Sequence, residues 1–190
     1  MSRTSLAAIV MALVIPGTKA ALAETPAAGG ADKAASPLTQ TFAELHAVSQ
    51  WSVKLSEMAD KRAKSDLVKT YARTIMDANP TADAKLMSVA QKKGIEAATL
   101  DTKTEEGKSL TERMKAEAVL LGSLEGDAFD KEYMTLVTNT QQSVLNMLKA
   151  TKASTKDADV KQLIGDMTTT IQNRLKTAQD IMLKIYGNQI

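Results

Sequence analysis

Oily side chains return every third or fourth position along most of this chain, and only an α-helix brings residues with that spacing onto one face. Phe42, Leu45, Val48, Trp51, Leu55, Met58 and Ala59 make the first stripe, with Ser36 as a cap and Pro37 in the first helical position. The chain restarts at Ser65-Asp66, and Val68, Tyr71, Ala72, Ile75, Met76, Leu86, Val89 and Ala90 carry a second stripe to Gly94. A third, shorter helix opens at Thr104 with Glu105 and Glu106, buries Leu110, Met114, Ala118 and Leu121, and closes at Gly122. The fourth starts at Asp127 or Ala128 and presents Phe129, Tyr133, Leu136, Val137, Thr140, Val144, Met147 and Leu148. The fifth runs from Asp157 to Tyr186 through Val160, Ile164, Met167, Ile171, Leu175, Ala178, Met182 and Ile185, with Gly187 as its stop. Period-two alternation bounded by turns, the mark of strands, is missing. The expected fold is all-α, a bundle of four long helices with an extra short crossing helix, over residues 37–190.

One local signal runs against an uninterrupted second helix. Pro80 has no N–H to donate and crowds the preceding turn, at about 3 kcal/mol in a helix interior. A kink or short break is expected at Asn79-Pro80, with Asn79 able to cap a new start.

The N-terminus reads as a removable leader. Arg3 precedes an apolar run from Ser5 to Ile15, Pro16-Gly17 breaks it, and Ala21-Leu22-Ala23 is a small-x-small cleavage site. The run is too short to span a bilayer. Residues 1–23 are therefore expected to be a signal peptide cleaved after Ala23, which directs the protein to the periplasm. Residues 24–36, rich in Ala, Gly and Pro, read as a flexible linker. The leader carries Arg3 and Lys19 and no acid, so 24 basic residues become 22, equal to the 22 acids. A mature chain near neutrality has no field to draw nucleic acid. No transmembrane helix is expected after cleavage.

Residue types needed for bond-making chemistry are scarce. There is no Cys, which removes disulfides, thiolate metal sites and cysteine nucleophiles. A di-iron centre in a bundle needs two Glu-x-x-His pairs, and this chain has one His, His46, and no such pair. Glu44 and His46 point about 200° apart on a helix. His46 reads as a boundary residue near Phe42 and Ser49. No Gly-x-Ser-x-Gly elbow and no phosphate-binding glycine loop occurs. No catalytic residue, metal site or cofactor is expected. The mature chain's eight Met, at 58, 76, 87, 114, 134, 147, 167 and 182, include no local Met-x-x-Met clamp and read as core filler. A copper(I) site assembled from thioethers across helices stays open as an alternative.

Two segments carry a resemblance: LSEMADKRAKSDLVKTYARTIMDANPTADAKL, residues 55–86, and FDKEYMTLVTNTQQSVLNML, residues 129–148. The Val-Lys-x-Tyr/Phe-Ala run and the Phe-Asp-x-x-Tyr start of a late helix resemble the exported bacterial family called domain of unknown function 4142. The similarity covers roughly residues 38–186. Members are often labelled outer membrane proteins and taken to be ferritin-like bundles, so the resemblance implies a ferritin-like four-helix bundle. The family pattern places a His in each of three helices, and those positions hold Asn79, Gln141 and Arg174 here.

Periodicity puts the same three residues in line with apolar neighbours: Asn79 with Ile75 and Leu86, Gln141 with Val137 and Val144, Arg174 with Ile171 and Ala178. A buried Arg needs acceptors. Asn79, Gln141 and Arg174, together with Ser52, are therefore expected to form one buried polar cluster, the candidate binding site. The sequence points to a non-enzymatic exported protein, a binding or envelope-stress protein with a small ligand or protein partner.

Overall fold

The computed structural model describes residues 36–97 and 99–187. The expected leader, and all of the expected linker before Ser36, lie outside the described residues. Five helices follow in order: α1 (Pro37–Arg62), α2 (Asp66–Lys92), α3 (Glu105–Gly122), α4 (Gly126–Ser154) and α5 (Ala158–Tyr186). No described residue is in a strand. Ser36, Thr104 and Asp157 each cap a helix by accepting backbone N–H groups on their side-chain oxygens, which satisfies donors the helix leaves free. Gly94 ends α2 with φ +65°, a conformation that costs other residues about 1–2 kcal/mol. Gly187 does not end α5 this way, because its φ is −60°. Its N–H bonds to the Leu183 carbonyl, so the helix simply runs out.

The expected break at Asn79-Pro80 does not occur. α2 continues through Pro80, which is solvent-exposed. Ile75 before it and Leu86 and Ala90 after it are all buried, so packing holds both halves on one helix despite the missing bond. Asn79 caps nothing, and its side chain is engaged elsewhere.

Contacts at the two ends give the chain directions. At one end the α1–α2 turn meets the start of α4: the Asp130 carboxylate accepts the Lys64 and Ser65 N–H groups at 3.0 and 2.7 Å. At the other end Lys93, just past α2, pairs with Asp157 and Asp159 at the α4–α5 turn, at 2.8 and 2.7 Å. α2 and α4 therefore run parallel, and α3 carries the chain back between them. α1 packs on α2 and α4, and α5 packs on the same two. This is a ferritin-like four-helix bundle with one long crossover. The crossover helix is lightly held. Leu121 is buried and Met114 and Ala118 pack on the core, but Val119 and Leu120 stay exposed. No described helix is long and apolar enough to cross a membrane.

The Phe-Asp-x-x-Tyr motif is a structural joint. Phe129 and Tyr133 stack with ring centres 6.5 Å apart. Arg62 lies over Phe129 and donates to the Gly122 and Leu124 carbonyls at the end of α3. The Tyr133 hydroxyl bonds to the buried Ser56 hydroxyl at 2.8 Å. Asp130 itself is 1% exposed, and its two backbone bonds are charge-assisted. Asp130→Ala is expected to lose about 3 kcal/mol of unfolding free energy in urea. Asp130→Asn, which keeps one acceptor oxygen, should recover about half of that. An unchanged urea midpoint for Asp130→Ala would show that the clamp is dispensable.

All three tyrosines hold their protons more tightly than a free phenol, with burial the largest cause at each, and Tyr186 is pushed up to about 12. In the unfolded chain they ionise near pH 10. The unfolded state then binds fewer protons than the folded one, so stability falls with pH in that range. Stability is expected to be intact below about pH 10 and to decline as pH rises towards 12. Ultraviolet absorbance titration of the native protein should show no tyrosine ionising at the ordinary value.

Candidate functional site

The apolar stripes of the four long helices do not merge into one core. Trp51, Leu55, Tyr71, Phe129, Tyr133 and Leu136 belong to a cluster at the Asp130 end, and Phe42, Leu45, Leu86, Leu148, Val160 and Ile164 to a second at the other end. Between them the stripe positions of α2, α4 and α5 are occupied by Asn79, Gln141 and Arg174.

The polar groups join in a defined order. Arg174 Nη1 donates to Asn79 Oδ1 at 2.6 Å, tying α5 to α2. Asn79 Nδ2 donates to the Ser49 carbonyl on α1 at 3.3 Å. Gln141 Nε2 donates to the Tyr71 hydroxyl. That hydroxyl in turn donates to the Arg174 backbone carbonyl at 3.4 Å. Tyr71 thus links Gln141 to the α5 backbone, and Arg174 links that backbone to Asn79. Ser52 takes no part in these bonds, since its hydroxyl donates to Val48 of its own helix at 2.8 Å. A serine within a helix reaches the carbonyl one turn back more easily than a neighbouring helix.

Sequence reasoning missed Tyr71 as a member of this group. It sat on the α2 stripe as an apolar residue, and its hydroxyl carried no signal until α4 and α5 were placed around it. His46 is half-buried between α1 and α2, with Nδ1 2.8 Å from Asp83 Oδ1 and Nε2 2.9 Å from Gln50.

With the Tyr71 proton on the Arg174 carbonyl, Gln141 presents its amide nitrogen to that hydroxyl. Its Oε1 then has no hydrogen-bond partner among the described residues, and Gln141 is only 9% exposed. Burying an unpaired acceptor costs about 1–3 kcal/mol. The Arg174 guanidinium is also under strain of this kind. Burial pulls its pKa down, and the nearby Tyr71 oxygen offsets this in part. Burial raises the Tyr71 phenol, while the Gln141 bond and the Arg174 charge lower it.

Asn79, Gln141 and Arg174 border a cavity of about 470 Å³ walled by α1, α2, α4 and α5. Leu45, Val48, Trp51, Leu55, Val144, Leu163 and Ile171 supply apolar wall, and Ser49, Ser52, Asn79, Gln141, Asp166 and Arg174 supply polar wall. Small residues on α2, Ala78, Thr81 and Ala82, and Thr170 on α5 border the same space, so these two helices leave room between them. Among the described residues no group of three or more His, Cys, Asp or Glu is gathered in one place. The arrangement can receive an apolar body and offer it the half-buried Arg174 guanidinium and the Asn79 and Gln141 amides, with Asp83, Lys85 and Asp166 also on the wall.

Comparison with solved structures places the fold. A protein described as secreted and as DUF305, from Streptomyces coelicolor, superposes with a TM-score of 0.62 at 16% identity, covering 77% of this chain and 93% of that one. CopM in its Cu(II)-bound form gives a TM-score of 0.61 at 17% identity, and in its Cu(I)-bound form 0.59 at 18%. Each CopM match covers 78% of this chain and 97% of the other. At such identities the likeness is one of fold. No curated protein matches the chain. Residues 23–181 match the model of the family described as Domain of unknown function (DUF4142), and over that span the chain belongs to this family.

Proposed function

We propose that this protein is an exported, non-catalytic binding protein that holds a small molecule in the cavity between its four long helices. The observation that carries the reading is a 470 Å³ space between the four long helices, walled mostly by apolar side chains and bordered by Asn79, Gln141 and Arg174. A ligand whose apolar body lies along those walls removes apolar surface from water, while its polar group meets the guanidinium and the amides. The volume lies within the usual range for small-molecule sites, which are apolar with a few placed polar groups. Asn79, Gln141 and Arg174 hold and orient, because amides and a guanidinium do not exchange protons near neutrality. That property favours binding over catalysis, in the periplasm or as part of an envelope-stress response.

The fold shared with CopM, whose structures include copper- and silver-bound forms, keeps copper handling in view as a second reading. The thioethers favour it less. Met167 is the one Met among the described residues that line the cavity, whereas a soft copper(I) site needs several such ligands together. Export is supported by the leader read from residues 1–23 and by the secreted character of the Streptomyces coelicolor protein.

Two measurements test this reading. Trp51, the only Trp in the chain, lies on the cavity wall and serves as a built-in reporter. The neutral dye Nile red is expected to bind the mature protein one to one, brighten, and quench Trp51. Ala82→Phe, which fills the space from α2, should weaken the dye at least tenfold while helicity by circular dichroism stays constant. Absence of dye binding, or equal binding by Ala82→Phe, overturns the cavity as a ligand site. Separately, protein recovered from the periplasm should begin at Glu24 on N-terminal sequencing. Retention of residues 1–23 in the recovered protein contradicts a cleaved leader.

A further inference from the structure

Arg174 is the cation best placed to choose what enters the cavity. Its guanidinium carries several N–H donors, and one of them is used, on Asn79. Among the described residues no carboxylate lies within ion-pairing distance of it. Elsewhere the protein does not leave interior charge so poorly matched: Asp130, which is 1% exposed, is met by two backbone N–H groups. A half-buried guanidinium that faces an apolar space is a fork for a planar anion. Its charge would be better balanced with an occupant than without one.

The rest of the wall narrows the class. Leu45, Val48, Val144 and Leu163 give the occupant's body an apolar surface. The exposed Lys85 and Asp166 on the same wall offset each other in charge. Asp83, also on the wall, adds an acid beside His46. One interior cation beside these acids suits a single negative charge and disfavours a polyanion.

We propose that the cavity takes an amphipathic monocarboxylate, with the carboxylate received by the Arg174 guanidinium and the aliphatic body lying along the apolar wall. The inference deepens the binding reading above and rests on it.

Displacement of Nile red from the mature protein by three probes with ten-carbon chains tests this. Decanoate should displace the dye at concentrations at least tenfold lower than decan-1-ol, and decyltrimethylammonium should be weaker still. Arg174→Met should bring decanoate to the level of decanol. The same substitution takes the donor from the buried Asn79 Oδ1, so the melting temperature of the ligand-free protein is expected to fall. If decanol and decanoate bind the wild-type protein equally, the carboxylate proposal is overturned and the cavity reading survives. If Nile red itself does not bind, the cavity reading fails and the carboxylate proposal with it. The wild-type comparison of decanoate with decanol needs no variant, so it decides the matter even where Arg174→Met does not fold.

Discussion

The bond from Arg174 to Asn79 sets the character of the bundle's interior. Polar side chains at stripe positions cannot be packed like leucine; each must find a partner or remain at a cost. Arg174 and Asn79 answer each other across α5 and α2, and Asn79 passes the connection to the α1 backbone. Tyr71 does the same between Gln141 and α5. The result is a polar layer that divides the apolar core into two clusters. Close packing is achieved within each cluster and interrupted between them, and the cavity lies at that interruption.

A bundle with a hollow middle needs firm ends. At one end Asp130 fastens the α1–α2 turn to the start of α4, and Arg62 closes the end of α3. At the other end Lys93 reaches Asp157 and Asp159. That surface cluster contributes less than the Asp130 clamp, because exposed ion pairs are screened by water. The division of labour explains why α3 can be so lightly packed. It returns the chain to the Asp130 end, and the four long helices rely on it for little of their interior.

Much of this was legible in the residues, and the reasons differ from element to element. The stripes of α1 and α4 predict their burial because a helix repeats faithfully and its core face is oily, whereas on α5 Val160, Ile164 and Ala178 are buried and Met167, Ile171, Leu175, Met182 and Ile185 are only half-buried. Ser36, Thr104 and Asp157 were readable as starts because capping is local chemistry. Pro80 misled for the same reason. Its local effect is real, but Ile75, Leu86 and Ala90 are held by other helices and override it. Asn79, Gln141 and Arg174 were identifiable as inward-facing from their phase. Their partners were not, since Tyr71 and the Ser49 carbonyl join them only through contacts distant in sequence. Ser52 looked equally eligible and turned back to its own helix.

The amino-acid order alone determined an all-helical chain, most of its helix starts, its lack of cysteine, and the inward phase of Asn79 and Gln141. Each of these depends on neighbours a few positions away, where the backbone's own geometry decides the outcome. Tertiary structure decided the rest: that α2 survives its proline, that Asp130 is a clamp, that Tyr71 belongs with the polar layer, and that a cavity opens where Asn79, Gln141 and Arg174 meet the apolar walls. Those are properties of atoms brought together across thirty to a hundred residues of chain, and no local period encodes which of them will meet.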